Sequence, residues 1–279
     1  YFGDVWDFFE GKQIVKSALP LGVILTLPAT GSETSTRTVI NNTELGKKYG
    51  AGSLLLRPKF AILNPELCYT LPAYQTACGA VDMFSHVLER YFSTDPEGDL
   101  TDRLCEATMQ SIIKNAILSL KNPVDYASRA ELMWAGTLAH NDLLDTGRSS
   151  EWSCHVIEHE LSAKYDIAHG AGLAIVFPAW MKYVYKKDVM RFAQFAQRVF
   201  GIGMDYHNPE RTALEGIEQL IIFFKRIGMP TTLTEANIES DDLEYMAKKC
   251  FRCNKDGTTG IFFPLNTDDI LNIYKLALK

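Results

Sequence analysis

The segment Cys154-His155-Val156-Ile157-Glu158-His159-Glu160-Leu161-Ser162-Ala163-Lys164-Tyr165-Asp166-Ile167-Ala168-His169-Gly170 holds three of the six histidines of this 279-residue chain. His155 and His159 are four apart, which on a helix puts both rings on one face about a turn apart. His169 follows ten residues after His159. The stretch from Tyr165 to Ala168 reads as a loop, so His169 opens a further helix, expected to run to about residue 185. A helix, a loop and a returning third imidazole can build a metal site, since imidazole is the commonest ligand of Zn, Fe, Cu and Ni.

A second pair lies upstream, in Cys78-Gly79-Ala80-Val81-Asp82-Met83-Phe84-Ser85-His86-Val87-Leu88-Glu89. Asp82 and His86 also share a helical face, flanked by Val81, Met83, Phe84, Val87 and Leu88. A carboxylate and an imidazole in so apolar a helix cost free energy unless they are paired or ligated. Alone, the two read as a hydrogen-bonded pair inside a core; beside the first cluster they read as metal ligands. His140, on a helix with Asn141 and Asp142, and His207, in an Asp-Tyr-His-Asn-Pro turn, lack such company and read as surface or internally satisfied histidines. The string His155-Val156-Ile157-Glu158-His159 also matches H-x-x-E-H, the inverted zincin pattern, in which Glu158 is a general base and both histidines hold zinc. That reading leaves Asp82, His86 and His169 unexplained.

These side chains need a frame. Residues 23–27 and 60–63 are short apolar runs bounded by Gly, Pro and Asn, and read as strands. Residues 37–40 are a weaker strand, with Asn41, Asn42 and Gly46 marking a turn. Beyond Pro72 the apolar residues recur at three and four. Cys105, Met109, Ile112, Ile113, Ala116, Ile117 and Leu120 make one stripe, and similar stripes run through residues 127–144, 189–200, 213–227 and 243–250. Gly201, Gly228-Met229-Pro230 and Asp256-Gly257 separate them, and Thr267 starts a last helix. The expected fold is mainly α: a small α/β portion over residues 1–70, then an all-helical portion over residues 71–279. No internal repeat or low-complexity segment interrupts this pattern.

Bulk properties exclude several classes. Lys+Arg 28 against Asp+Glu 34 gives a net charge of −6, the wrong sign for a nucleic-acid surface. No apolar run reaches the roughly 18–20 residues that cross a bilayer. Residues 19–27 are apolar but carry Pro20 and Gly22, and no signal peptide is visible. The six cysteines form no dense framework, which suits a reducing compartment, and a cytoplasmic setting is expected. Cys250-Phe251-Arg252-Cys253 is a lone C-x-x-C and reads as one turn of an amphipathic helix. The chain opens at Tyr1 directly on the helical turn Val5-Trp6-Asp7-Phe8-Phe9, and reads like the interior of something longer.

Together these segments resemble the group-III, iron-containing alcohol dehydrogenases. That family carries Asp-x-x-x-His on one helix and later His-x-x-x-His-x9-His-Gly. Asp82/His86 and His155/His159/His169-Gly170 match it in order and spacing. Leu27-Pro28-Ala29-Thr30-Gly31-Ser32-Glu33 is similar to the family's Thr-Gly-Ser-Glu loop. Arg57-Pro58-Lys59-Phe60-Ala61-Ile62-Leu63-Asn64-Pro65-Glu66-Leu67 with Thr70-Leu71-Pro72 is similar too, closest to the butanol dehydrogenase/aldehyde reductase branch. The resemblance implies a dehydroquinate synthase-like helical metal-binding domain preceded by a remnant of an α/β nucleotide-binding domain. It implies Asp82, His86, His155 and His169 as metal ligands and His159 as a proton relay. It places Thr30, Ser32, Ser35 and Lys48 against the nicotinamide cofactor. The family's Gly-Gly-Gly-Ser phosphate loop is absent, as is any G-x-G-x-x-G after a strand. Most of the cofactor domain is therefore expected upstream of Tyr1.

The activity so implied is hydride transfer between NAD or NADP and a primary alcohol or aldehyde, with Fe2+ or Zn2+ as the ion. One carboxylate and three neutral imidazoles leave such an ion a net positive charge and an open position, where an alcohol oxygen is polarised and its pKa falls. Two other readings stay open: an inverzincin-type peptidase using His155, Glu158 and His159, or a non-catalytic metal-binding helical module. A Glu158→Gln variant is expected to abolish the peptidase and spare the dehydrogenase. A homodimer is the expected assembly. Trp134, Trp152, Phe177 and Trp180 either line the substrate pocket or fill the core.

Overall fold

The computed structural model describes residues 2–95, 97–250 and 254–279. Before Pro72 the regular elements are short: α1 (Trp6–Phe9), β1 (Gly22–Ile24), β2 (Arg37–Asn42), β3 (Lys47–Gly52) and β4 (Phe60–Ile62). β1 and β4 pair in parallel, Gly22 opposite Phe60. β2 and β3 form an antiparallel hairpin, Arg37 opposite Gly52, turning at Gly46 with its positive φ. The strand expected over 23–27 is cut short at Ile24, although the Leu25 N–H still reaches the Ile62 carbonyl at 3.0 Å. β3 has no signature of its own. Lys-Lys-Tyr-Gly-Ala-Gly is polar and glycine-rich, and only pairing with β2 makes it a strand.

After Pro72 the chain is helical: α2 (Ala73–Tyr91), α3 (Asp99–Lys121), α4 (Tyr126–Ala139), α5 (Ser153–Tyr165), α6 (His169–Val184), α7 (Val189–Phe200), α8 (Pro209–Arg226), α9 (Leu243–Lys249) and α10 (Thr267–Leu276). Pro72 caps α2, where its missing N–H costs nothing. From Thr76 onward every residue of α2 is buried, because α3, α4 and α6 enclose it. A helix buried nearly all round sits at the centre of a bundle. The stripe on α3 faces inward through Cys105, Met109, Ile112 and Ala116, all fully buried. α10 begins with a capping box between Asn266 and Asp269.

Two expected boundaries move. The helix expected to 144 ends at Ala139, because Asp142 turns left-handed (φ 73°) and residues 143–145 form a separate 3-10 turn. Cys250 caps α9, and the remainder of the C-x-x-C, residues 251–253, lies outside the described residues. Among the described residues no helix is long and apolar enough to cross a membrane.

One close approach positions the site. Gly170, the second residue of α6, lies so near α2 that a Cβ there would collide with the Cys78 carbonyl. The absent side chain is what lets α6 start directly against the turn of α2 that carries Asp82.

Candidate metal centre

Three helices bring the chemistry together. α2 supplies Asp82 and His86 one turn apart, α5 supplies His155 and His159, and α6 opens on His169. The Asp82 Oδ1 atom stands 3.6 Å from His86 Nδ1, 3.9 Å from His155 Nε2 and 3.7 Å from His169 Nε2. One nitrogen each of His155 and His169 and an oxygen of Asp82 lie mutually within 4.8 Å. The His86 ring centroid is 4.7 Å from that of His155.

These separations are too long for hydrogen bonds, and bonds of about 2 Å from each donor to a shared cation would span them. Asp82 Oδ1, His86 Nδ1 and His155 Nε2 are all buried without a hydrogen-bond partner. Three orphaned donor atoms facing one another in a protein interior are costly unless something charged fills the gap. The donor set, one carboxylate and three imidazoles, fits a divalent ion such as iron or zinc.

The charge states of His86 and His155 suit ligation. Burial pushes the Asp82 carboxyl up to about 6, opposed by His169, and a cation beside it would favour the ionised form. Burial holds His86 and His155 well below the ordinary imidazole value, so both keep a lone pair at neutral pH. For His169 burial works the same way, but Glu158 outweighs it and the value rises.

Carboxylates stand behind two of these rings. Glu89 Oε1 accepts from His155 Nδ1 at 2.7 Å, and Glu89 Oε2 accepts from the Trp152 N–H at 2.8 Å. Glu158, fully buried, accepts from His169 Nδ1 and from the Ser162 hydroxyl. Lys48, on β3, reaches in to 3.5 Å from Glu158 Oε2 and 3.4 Å from His169 Nδ1. Glu158, His159 and His169 also form a compact donor group. Both Glu158 oxygens are already engaged there and an ammonium stands beside them, which opposes a cation.

This engagement changes the expectation for Glu158→Gln. A side chain bonded to His169 is part of the same centre, so its replacement also reaches the dehydrogenase chemistry and no longer separates the two readings. Nor is Glu158 free to act as a peptidase base.

The other expected residues fall in different places. His159 is half-buried, its ring 5.6 Å from that of His169. Thr30 and Ser32 are exposed, and Ser35 is buried with its hydroxyl accepting from the Arg37 N–H at 3.0 Å. Of the cofactor candidates, only Lys48 has a hydrogen bond or ion pair with a residue of the centre. Phe177 and Trp180 are core, Trp134 is 56% exposed, and Trp152 lines the centre 5.2 Å from the His155 ring. His207 is exposed, as expected of a turn. His140 is buried and satisfied: Arg90 bonds its Nδ1 at 3.0 Å, and its ring lies 4.3 Å from His86.

His140 is thus an internally satisfied histidine, one of the two readings the sequence left open, but its place against His86 was not legible because nothing local ties residue 140 to α2. Sequence reasoning missed Glu89, whose signal was present: it lies two helical turns after Asp82 on the same face.

Known proteins match this chain along nearly its whole length. The profile of the Fe-containing alcohol dehydrogenase family, C-terminal, matches residues 76–278, and that of iron-containing alcohol dehydrogenase matches residues 1–65. The chain belongs to the iron-containing alcohol dehydrogenase family. It is 42% identical over 276 residues to the NADH-dependent butanol dehydrogenase A of Clostridium acetobutylicum, covering 99% of this chain and 70% of that one. It is 36% identical over 254 residues to the NADPH-dependent aldehyde reductase YqhD of Escherichia coli, covering 88% and 63%. The crystal structure of NADH-dependent butanol dehydrogenase A from Thermotoga maritima superposes with a TM-score of 0.95 at 41% identity, over 100% of this chain and 71% of that one.

Proposed function

We propose that this chain carries the catalytic metal centre of an NAD(P)-dependent alcohol dehydrogenase/aldehyde reductase acting on small primary alcohols and aldehydes, butanol and butanal among them. The observation that carries this is the convergence of Asp82, His155 and His169, with His86 beside Asp82, on one buried gap where donor atoms of Asp82, His86 and His155 have no partner. Butanol dehydrogenases at about 41–42% identity support the substrate class, and the NADH- and NADPH-dependent relatives support the cofactor.

When bound, a divalent ion would supply positive charge that polarises an alcohol or carbonyl oxygen, and the nicotinamide would supply the redox step. The protein's own residues do the rest. Asp82, His86, His155 and His169 would hold the ion. His159, neutral because burial depresses its basicity, takes or returns the hydroxyl proton on the more open side of the cluster. Trp152 and the α2 core exclude water from the other side. Thr30, Ser32, Ser35 and Lys48 face the cofactor in this reading.

The same reading divides the chain at residue 70 into a cofactor-binding part (1–70) and a helical catalytic part (71–279), supported by two family profiles that meet near that point. A homodimer in the cytoplasm completes it. Five free, buried cysteines among the described residues suit a reducing setting.

The test is metal analysis of the purified protein combined with NAD(P)H absorbance during oxidation of 1-butanol and reduction of butanal. About one Fe or Zn per chain together with turnover supports the proposal. Protein that takes up no metal overturns it.

A further inference from the structure

Glu158 and Lys48 make opposite demands on the same nitrogen. Glu158, a carboxylate with no exposed surface, can only accept at His169 Nδ1, so it requires a proton there and leaves the lone pair on Nε2. That Nε2 is the atom 3.7 Å from Asp82. Lys48 Nζ, 3.4 Å from the same Nδ1, can only donate, and so favours the tautomer whose proton sits on Nε2 and blocks ligation. Lys48 also stands 3.5 Å from Glu158 Oε2 and draws on the acceptor that opposes it.

The site is built for Glu158. A Cβ at Gly172 would collide with its carboxylate, and Ser162 donates to it from one turn on. His155 has no such contest. Glu89 alone takes its Nδ1, at 2.7 Å, and Glu89 is anchored by the backbone N–H groups of Trp152 and His155.

We propose that Glu158 is a positioning residue that locks His169 in its metal-ligating tautomer, and that Lys48 of the β2–β3 hairpin opposes that lock, so that the hairpin sets how tightly the ion is held. The inference rests on the metal centre proposed above and goes beyond it by assigning roles to two residues that do not touch the ion. The weaker ligand is then His169, the one at the opening of the site, while His155 is held permanently.

The test is cobalt(II) binding to the metal-stripped chain, read by visible absorbance and by competition with a chelator. Three variants, Glu158→Gln, Lys48→Met and the double change, are compared with wild type, and circular dichroism reports whether each is folded. Loss of an outer partner of a metal-bound histidine weakens the ion by about 10–100-fold, the loss expected for Glu158→Gln. Lys48→Met is expected to tighten binding on the order of 3-fold, since it removes both a competing donor and a neighbouring positive charge. Selective 15N labelling of histidine supplies a second readout: His169 in the metal-free wild type carries its proton on Nδ1, and Glu158→Gln shifts that balance toward Nε2. Cobalt bound by wild type and equally tightly by folded Glu158→Gln overturns this inference while leaving the centre in place. Weaker binding by Lys48→Met overturns the opposing role of Lys48. Wild type that binds no cobalt overturns the metal centre itself, and this inference with it.

Discussion

From Thr76 to Tyr91 no residue of α2 is exposed, whereas β1 and β4 leave Ile24, Phe60 and Ile62 each about half exposed or more. Both stretches are rich in apolar side chains. In α2 those side chains meet three helices of the same chain, and a buried carboxylate–imidazole pair is held among them with its polar atoms fixed. Among the described residues the short strands β1 and β4 pair only with each other, and two of the three residues in each are exposed. The helical region can therefore sustain the electrostatic cost of gathering a carboxylate and imidazoles, because its packing over-determines where they sit. The strand region reaches the centre through the long side chain of Lys48, which suits adjustment more than fixed ligation.

Breaking the cluster within α2 and α5 should give the largest effect. Asp82→Ala and His155→Ala each remove one proposed ligand from the closely packed cluster. Metal content should fall to less than about a tenth of wild type, with kcat/KM down on the order of 10^3-fold, as expected when several kcal/mol of oxygen polarisation is lost. Elemental analysis beside steady-state rates checks this. Full metal content in Asp82→Ala would mean the gap between α2 and α5 is not the site.

Gly170→Ala tests the packing that over-determines the site. The new methyl meets the Cys78 carbonyl, a backbone atom that cannot swing away. The expected cost is about 2–3 kcal/mol by urea unfolding, with α6 pushed off α2 and metal affinity falling alongside. On the strands themselves the crowding is by side chains: a methyl at Gly22 would meet the Phe60 ring and one at Gly52 the Arg37 side chain. A methyl at Gly50 would find only ordinary contacts, so Gly50→Ala should be close to neutral.

This contrast also explains what could be read in the sequence. Asp82/His86 and His155/His159 were legible because a helix turns a four-residue spacing into a shared face, and His169 because a short loop returns it. α7 runs over residues 189–200, where its apolar stripe put it, and its cap Gly201 marks the end. Legibility failed where position depends on a distant partner. β3 is a strand only through β2, His140 joins the cluster only through α4 lying against α2, and the His169–Glu158–Lys48 contact spans residues 121 positions apart. Glu158 shows the hazard of a short motif. Its spacing matched a peptidase base, and its actual partner was the third histidine, outside the string.

Farther from the centre, Asp102 ties α3 to α7 and to the loop before α5, accepting from Arg191 at 2.7 Å, Arg148 at 2.8 Å and Gln194 at 3.0 Å. Burial alone would raise this carboxyl, but Arg191, helped by Arg148 and Gln194, overcomes that and holds it at about 2. Its value in the unfolded chain is about 3.9. The folded state therefore releases the proton more readily, so this group adds stability above about pH 4 that is lost as pH falls toward 2. Partial solvent screening limits the effect to on the order of 1–2 kcal/mol. Urea midpoints of wild type should fall across that window, and Asp102→Asn should begin lower and fall less. Parallel curves would locate the acid sensitivity elsewhere.

The smallest effect is expected where the two regions meet. Arg57, just before β4, pairs with Asp142 after α4, and both side chains are about half exposed. An ion pair in that much solvent gains little over its two hydrated partners. Asp142 adopts φ 73°, a conformation that asparagine tolerates as well as aspartate, so Asp142→Asn removes the charge without adding backbone strain. The expected loss is below about 0.5 kcal/mol by urea unfolding, shrinking further in salt. A loss of about 1.5 kcal/mol or more, unchanged by salt, would show instead that the strand region is locked to the helical one through this contact. Lys48 would then be held as rigidly as the histidines it faces, and the distinction between a fixed cage and an adjustable edge would fail.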